Sequence, residues 1–390
     1  MAPIQIIHAD LMEPIPNLST KVEECLIVFW WGDFPVGQIW DAGPVGRALD
    51  LGTLQLSAVA PDVLERANTV VGQQRFTACI NEYSATVVVC TRDRPEELRL
   101  CLTSLPQQTK SPAQIVVVDN APRDDLTRNV ALAAGADYVR EDRPGLDIAR
   151  NAGAKRAVGE IVAYTDDDVH LHPRWLERLV RAFDRPEIAA VTGLVLPAEL
   201  ETAAQRHFET HWSFGRGYRS IDFGPAFFAV DRAGGCPAWE IGAGASMAFR
   251  REIFTKLGYF DERLDVGAAG CSGDSEYWHR ILSHGWACRY DPSAVAFHFH
   301  RRDFAGLSSQ IFHYMRGHSA ALMVQYERSG NFGNLRRALL TMPRWYAARL
   351  ARRLMRGAHD PDRFLFREIS GYASGLLFYA RRSRSGQDSQ

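Results

Sequence analysis

The chain of 390 residues has no run of 18 apolar residues, no Cys-x-x-Cys pair and almost no net charge. Without such a run, no membrane-spanning helix is expected. Seven cysteines, an odd number with no paired spacing, argue against a disulfide framework or a zinc knuckle and fit a reducing compartment. The balance of 45 Lys plus Arg against 46 Asp plus Glu provides no general basic field, and no nucleic-acid partner is expected. Residues 1–16 lack the basic and apolar regions of a signal peptide, so the expected location is the cytoplasm. What is present, 46% hydrophobic residues over this length, excludes a disordered, collagen-like or small disulfide-stapled protein. Two domains, or one large domain with additions, are expected.

The charge is unevenly placed. Residues 1–83 carry 4 basic and 10 acidic side chains, whereas residues 331–390 carry 12 Arg and 4 acidic ones. The basic tail predicts an anionic surface as its partner, either membrane headgroups or a polyanion. Packing of the basic helix against the acidic N-terminal module is the competing reading.

Pattern changes divide the chain into a small N-terminal β-containing module (1–83), a central domain (84–302) and a helical extension with the basic tail (303–390). Residues 25–31 and 36–40 are apolar runs flanking Gly32-Asp33-Phe34-Pro35, which reads as a β-hairpin. Trp30, Trp31, Phe34 and Trp40 exceed what a hairpin can bury alone. The module is therefore expected to pack on the central domain or on a second copy of the chain, as in a homodimer. Asn81-Glu82-Tyr83-Ser84 is the expected linker. Strands are predicted at 86–91, 114–119, 137–141, 160–166 and 188–196, with helices at 96–104, 124–134 and 147–157 and another beginning near Pro173. This alternation predicts an α/β domain with a mainly parallel sheet covered on both faces, and ligands at the carboxyl ends of its strands. Helices are predicted at 304–328, 335–356 and 362–382.

The densest chemistry lies in Ala163-Tyr164-Thr165-Asp166-Asp167-Asp168-Val169, an apolar strand ending in three carboxylates. Side chains alternate along a strand, so Asp166 and Asp168 can face one side and share a divalent cation; oxygen ligands suit Mn2+ or Mg2+. A solvated acidic turn is the bland alternative. Two more strands stop at polar residues on the same rim, at Thr91-Arg92-Asp93-Arg94-Pro95 and at Val118-Asp119-Asn120. Gly145-Leu146-Asp147-Ile148-Ala149-Arg150-Asn151-Ala152-Gly153 can start a helix there, bringing Arg150 and Asn151 towards phosphate or ribose oxygens.

Taken in order, Thr91 to Pro95, Val118-Asp119-Asn120, Ala149-Arg150-Asn151-Ala152-Gly153 and Asp166-Asp167-Asp168 resemble the motifs of family 2 glycosyltransferases, which have the GT-A fold, and the resemblance extends over residues 85–302. Within it, Gly242 to Arg251 and Gly258 to Leu264 resemble the acceptor-side strand and helix. Gly273-Asp274-Ser275-Glu276-Tyr277 resembles the catalytic-base motif, with Gly273-Asp274 where the family usually has Glu-Asp. The resemblance implies Asp274 as base, with Glu276 in reserve. It also implies a downstream histidine facing the metal or diphosphate, His298 ahead of His300. The Gln-x-x-Arg-Trp motif of processive synthases is missing; Arg344-Trp345 follows Leu340-Thr341-Met342-Pro343.

The implied activity is non-processive, inverting transfer of one sugar from a nucleotide sugar to a glycan, lipid-linked or small-molecule acceptor. Asp119 would then bind the nucleobase, uracil in a UDP-linked donor. Thr91, Arg92, Arg94, Arg150, Asn151, Asp166 and Asp167 complete the implied donor site, and Asp166, Asp168 and His298 hold Mn2+ or Mg2+. An acceptor wall is expected between Phe208 and Trp239, unless those aromatics simply pack beneath a long loop. A scaffold that has lost catalysis is one rival reading. A sugar-phosphate nucleotidyltransferase is another, disfavoured because Thr91 to Pro95 contains no glycine. The arginines and apolar residues of 335–356 suit peripheral attachment at the inner face of a membrane.

Overall fold

The computed structural model describes residues 3–14, 20–74, 83–230, 234–357 and 360–387. Asn81 and Glu82 of the expected linker lie outside these residues. Two sheets are present among them. The small one contains β1 (Gln5–Asp10), β2 (Glu24–Trp31) and β3 (Phe34–Ala42), with β1 parallel to β2 and β2 antiparallel to β3. The hairpin read from the sequence is thus β2–β3; β1 and the helices Leu51–Ala58 and Pro61–Gln74 were not foreseen. Leu51–Ala58 has little apolar asymmetry and buries only Leu51, which is why its pattern gave no helical signal.

The large sheet contains β4 (Ala85–Thr91), β5 (Gln114–Asn120), β6 (Asp137–Glu141), β7 (Ile161–Asp166), β8 (Val169–Leu171), β9 (Ile188–Pro197), β10 (Ile221–Phe223), β11 (Ser246–Arg250) and β12 (Ala287–His298). Its order is β10-β12-β9-β11-β7-β4-β5-β6, with β8 paired to β12. The β4, β5, β6 and β7 neighbours are parallel, as are β9 and β12, whereas β11 runs antiparallel to both β7 and β9. Every residue of β4 is buried, as expected of a valine-rich parallel strand covered on both faces. The chain leaves β4 for β5 and β6 on one side and returns to β7 on the other. Their carboxyl ends therefore open a crevice at a reversal of strand order, the general ligand position in such sheets. Helix Leu146–Arg156 lies against this central region, and at Gly153 a Cβ would collide with Val88 of β4, so this glycine sets the approach of helix to sheet.

The N-terminal module shares its core with the central domain. Ile4, Leu26, Val28 and Trp30 lie in one buried cluster with Val88, Val118 and Tyr164. Trp30 stacks on His172 at 5.6 Å, and the Arg178 guanidinium sits 4.0 Å over the Phe34 ring while donating to the Asp33 carbonyl at 2.7 Å. Of the four expected packing aromatics, Trp30 and Phe34 are buried, Trp31 is half-buried and Trp40 stays exposed. Burying an aliphatic side chain contributes about 1.5–3 kcal/mol. Removing residues 1–80 uncovers several such contacts and is expected to yield aggregated protein. A soluble, fully active truncation, judged by size-exclusion chromatography and activity, would contradict this.

The extension contains the long helix Phe304–Ser329, with Leu365–Gln387 packed along it. The single helix expected at 335–356 is instead Phe332–Arg336, a π turn at Arg337–Thr341, and Met342–Arg356. Pro343 has no N–H to donate and is tolerated only at a helix start, which accounts for the irregular turn before it. Arg349 pairs with Asp362 and Glu368, each at 2.7 Å. The basic helix thus packs through Arg349 on acidic groups of the extension itself, which corrects the competing reading of packing against the acidic N-terminal module.

Candidate active site

Three strand ends supply the crevice. β4 stops at Thr91, β5 at Asp119 and Asn120, and β7 at Asp166, with Thr91 in register with Asp119 and Cys90 with Asp166. Beyond β7, Asp166 and Asp168 point with His298 of β12 into one cluster whose potential ligand atoms all lie within 4.8 Å of one another. His298 Nε2 is 3.3 Å from Asp168 Oδ1. Burial and then Asp168 push Asp166 up to about 6. Burial also acts to raise Asp168, but His298 and Arg94 outweigh it and hold that carboxyl below the usual range. Two carboxylates and an imidazole in this space form a donor set that fits Mn2+ or Mg2+.

Asp167 turns the other way. It accepts from Thr91 Oγ1 at 2.7 Å and Arg94 Nη1 at 2.5 Å, and Arg94 Nη2 also reaches Asp168 at 3.0 Å. Thr91, Arg94 and Asp167, expected to touch the donor, here tie the loop after β4 to the loop after β7. Arg92 is exposed beside them. Asp119 is fully buried and accepts from Tyr138 Oη at 2.9 Å through Oδ2, while Oδ1 has no partner. An unpaired buried acceptor at the end of β5 is suited to a nucleobase N–H.

His300 stands behind His298. Their Nδ1 atoms are 3.0 Å apart, and His300 Nε2 is 3.2 Å from Glu209 Oε2. The chain Glu209, His300, His298, Asp168 therefore orients the ring that faces the carboxylates, separating the two histidines that sequence had left as rivals. Glu209, on helix Ala203–His211, gave no sequence signal.

A second carboxylate group surrounds Arg150. Its Nη1 donates to Asp147 Oδ1 at 3.0 Å and to Asp265 Oδ2 at 2.6 Å, and Asp274 lies close enough to stabilise its charge. Arg150 therefore meets carboxylates rather than standing free for a phosphate. Asn151 is also committed elsewhere, exchanging hydrogen bonds with the Phe260 backbone at 2.9 and 3.0 Å. A rigid cross-link between helix and loop, not a ligand contact, is what its buried amide provides.

Asp274 begins helix Gly273–Ser283, whose N-cap Ser272 has φ +75°. The other non-glycine residues with positive φ among those described are Asp93, Ala121 and Asp265, each in a loop of this rim. Such backbone conformations cost about 1–3 kcal/mol and persist where surroundings fix them. Burial raises the Asp274 carboxyl above its ordinary range, against the pull of Arg150. Gly273 has a local reason: a Cβ there would collide with the carboxylate of Asp147, which stands where the usual glutamate side chain would begin. Glu276 is fully buried and locked to Arg280, with Arg328 at 3.4 Å. That pairing commits its carboxylate to guanidinium groups, which disfavours Glu276 as the base.

Aromatics expected to wall the acceptor are largely engaged in packing. Phe214 lies edge-on to His298 at 5.2 Å, Phe223 meets Phe227 at 4.9 Å and Phe228 meets His279 at 5.2 Å.

A mixed, mainly parallel sheet with a carboxylate and histidine cluster at its switch point is the arrangement of the GT-A fold, here with a small N-terminal β module and a C-terminal helical extension. Residues 86–258 match the family described as glycosyl transferase family 2. Similar proteins include the O-antigen biosynthesis protein RfbC of Myxococcus xanthus, 29% identical over 51% of this chain and 16% of that protein. Another is the glucosyl-dolichyl phosphate glucuronosyltransferase of Haloferax volcanii, 28% identical over 45% of this chain and 55% of that one. A mannosyltransferase from Pyrobaculum calidifontis, solved with GDP-Man and Mn2+, is 18% identical, covering 80% of this chain and 91% of its own, with a TM-score of 0.48. The matches thus span little more than half, or much less, of the length of these two curated relatives.

Proposed function

We propose that the chain is a metal-dependent, inverting, non-processive glycosyltransferase that moves one sugar from a nucleotide sugar, UDP-linked, to an acceptor hydroxyl. The observation that carries this reading is the presence of the Asp166, Asp168 and His298 cluster together with Asp274, whose carboxylate faces Gly244 beside Arg150: a Cβ at Gly244 would lie 2.7 Å from Arg150 Nη2 and 3.0 Å from Asp274 Oδ2. Asp166, Asp168 and His298 would hold Mn2+ or Mg2+. A divalent cation there supplies Lewis-acid neutralisation of the charge that builds on the leaving nucleoside diphosphate.

The chain's own groups do the rest. Asp119 Oδ1 accepts from the nucleobase. Asp274 takes the acceptor's hydroxyl proton as the new bond between oxygen and anomeric carbon forms and the bond to the diphosphate breaks on the opposite face. Arg150 opposes the upward push of burial on the Asp274 carboxyl and so favours its ionised form. Retention of all these groups favours catalysis over a scaffold role. The test is a panel of nucleotide sugars assayed with Mn2+, Mg2+ and EDTA. Metal-dependent release of the nucleoside diphosphate is expected from a uridine-linked donor, and no turnover with any donor would support the scaffold.

The proposed boundaries remain 1–83, 84–302 and 303–390. No helix among the described residues is long and apolar enough to cross a membrane. Peripheral attachment at the inner membrane face is supported by helix Met342–Arg356, which exposes Leu354 (79%) and Met355 (74%) as well as Arg344 and Arg352. Such a face would bring the site to a lipid-linked acceptor. The protein is expected to float with anionic liposomes at low salt and less so at physiological salt; sedimentation in both would refute attachment.

A further inference from the structure

A second cluster of metal-ligand type lies outside the catalytic crevice. Helix Ala203–His211 starts with a capping box between Thr202 and Gln205, which fixes its first turn. Its last turns carry His207 and His211, four residues apart and so on one face, with ring centroids 4.6 Å apart. Asp360, in the short turn Asp360–Asp362 ahead of the last helix, enters between them. Its Oδ2 is 3.4 Å from His207 Nδ1 and 3.2 Å from His211 Nε2. The potential ligand atoms of the three residues all lie within 4.8 Å of one another. His207 is buried and braced edge-on by the Phe364 ring at 5.2 Å and the Phe304 ring at 6.3 Å, so its imidazole is held in place before any ligand arrives.

We propose that His207, His211 and Asp360 form a zinc site that clamps the C-terminal helices onto helix Ala203–His211. The donor set carries the choice of metal. Two imidazoles and one carboxylate suit a borderline cation such as Zn2+, with a coordination position left for water, whereas the catalytic cluster has two carboxylates and suits Mn2+ or Mg2+. One chain thus presents two sites of different chemistry. The clamp also bears on the crevice. Glu209, between the two histidines in sequence, is the residue that braces His300 behind His298. Zinc would pin the helix that positions this brace, which makes His207 and His211 positioning residues and not catalytic ones.

The experiment uses the full, untagged chain stripped of metal, in excess Mg2+ to occupy the oxygen-rich cluster. Zn2+ is titrated against a chromophoric chelator, and Co2+ is used as a visible probe of imidazole ligation. Wild-type protein and Asp168→Asn are expected to bind a single tight equivalent of Zn2+ and to gain thermal stability from it. His211→Gln, at a half-buried position, and Asp360→Asn, at an exposed one, are expected to lose at least about 100-fold in Zn2+ affinity, together with the thermal shift and the Co2+ bands. Their metal-free melting curves, compared with wild type, report that they fold. The proposal is overturned if both variants keep wild-type Zn2+ affinity, or if tight Zn2+ binding vanishes in Asp168→Asn, which would place the metal in the catalytic crevice. Neither result depends on sugar transfer, so failure of the clamp and failure of the proposed reaction are separable.

Discussion

Asp274→Asn is expected to lower the rate of sugar transfer by about 100-fold or more while leaving donor affinity unchanged, because it removes a general base and little else. The exchange is nearly isosteric, and the amide oxygen can still accept from the Ser275 N–H, now at 2.6 Å. Arg150 keeps Asp147 and Asp265, so no buried charge is stranded. The stability consequence has a definite sign. A carboxyl raised on folding costs stability once pH exceeds its unfolded value, because the folded state must ionise a desolvated group. At neutral pH the variant should therefore be about as stable as wild type, or more so. Wild-type kcat/KM should fall on the acid side through a value above the ordinary carboxylate range, and that limb should disappear in the variant.

Glu276→Gln provides the contrast. Breaking a buried ion pair from one side costs about 3–5 kcal/mol, since the partner guanidinium is left uncompensated. Arg280 and Glu276 are both nearly sealed from solvent, so the loss should show in chemical denaturation. If Glu276→Gln were instead stable and inactive, and Asp274→Asn active, the base would be Glu276 and the present assignment would be two residues out.

What sequence could reveal follows from how locally each feature is encoded. β4, β5 and β7 were legible because strands covered on both faces must be apolar throughout, and their polar stops mark the carboxyl rim. Asp166 and Asp168 were legible as a pair from strand alternation, although the strand ends at Asp166 and it is the turn at residues 167 and 168 that brings Asp168 to the same side. The departure at Gly273 was visible, but its reason was not: the carboxylate that excludes a side chain there arrives from Asp147, far away in the chain. The same applies to Glu209 behind His300 and to Asp265 beside Arg150, which depend on tertiary contacts that no local spacing encodes. Arg150 and Asn151 show the opposite error. Their motif was correctly placed at a helix start near the rim, yet burial commits both to protein partners.

Asp168→Ala is expected to abolish turnover and to weaken nucleoside diphosphate binding by more than about 100-fold in Mn2+, as loss of a ligand should exceed loss of an outer-shell partner. Asp168 is the member of the cluster most firmly held as a carboxylate, since His298 and Arg94 both face it and outweigh its burial. Removing it leaves His298 without its nearest counter-charge, so the imidazole loses the influence that now raises it. Asp166, still raised by its burial but freed from its like-charged neighbour, should move down from about 6. The remaining pair, one carboxylate and one imidazole, would offer too few ligands to hold the cation that neutralises the diphosphate. Wild-type binding of the diphosphate should collapse in EDTA to the level of the variant, and the variant should be indifferent to EDTA. Calorimetric titration of nucleoside diphosphate with and without chelator measures both effects. Unchanged wild-type activity in EDTA, or an Asp168→Ala enzyme that still turns over, would show that leaving-group charge is neutralised by protein groups alone, and Arg94, free of both Asp167 and Asp168 only after rearrangement, would be the first to examine.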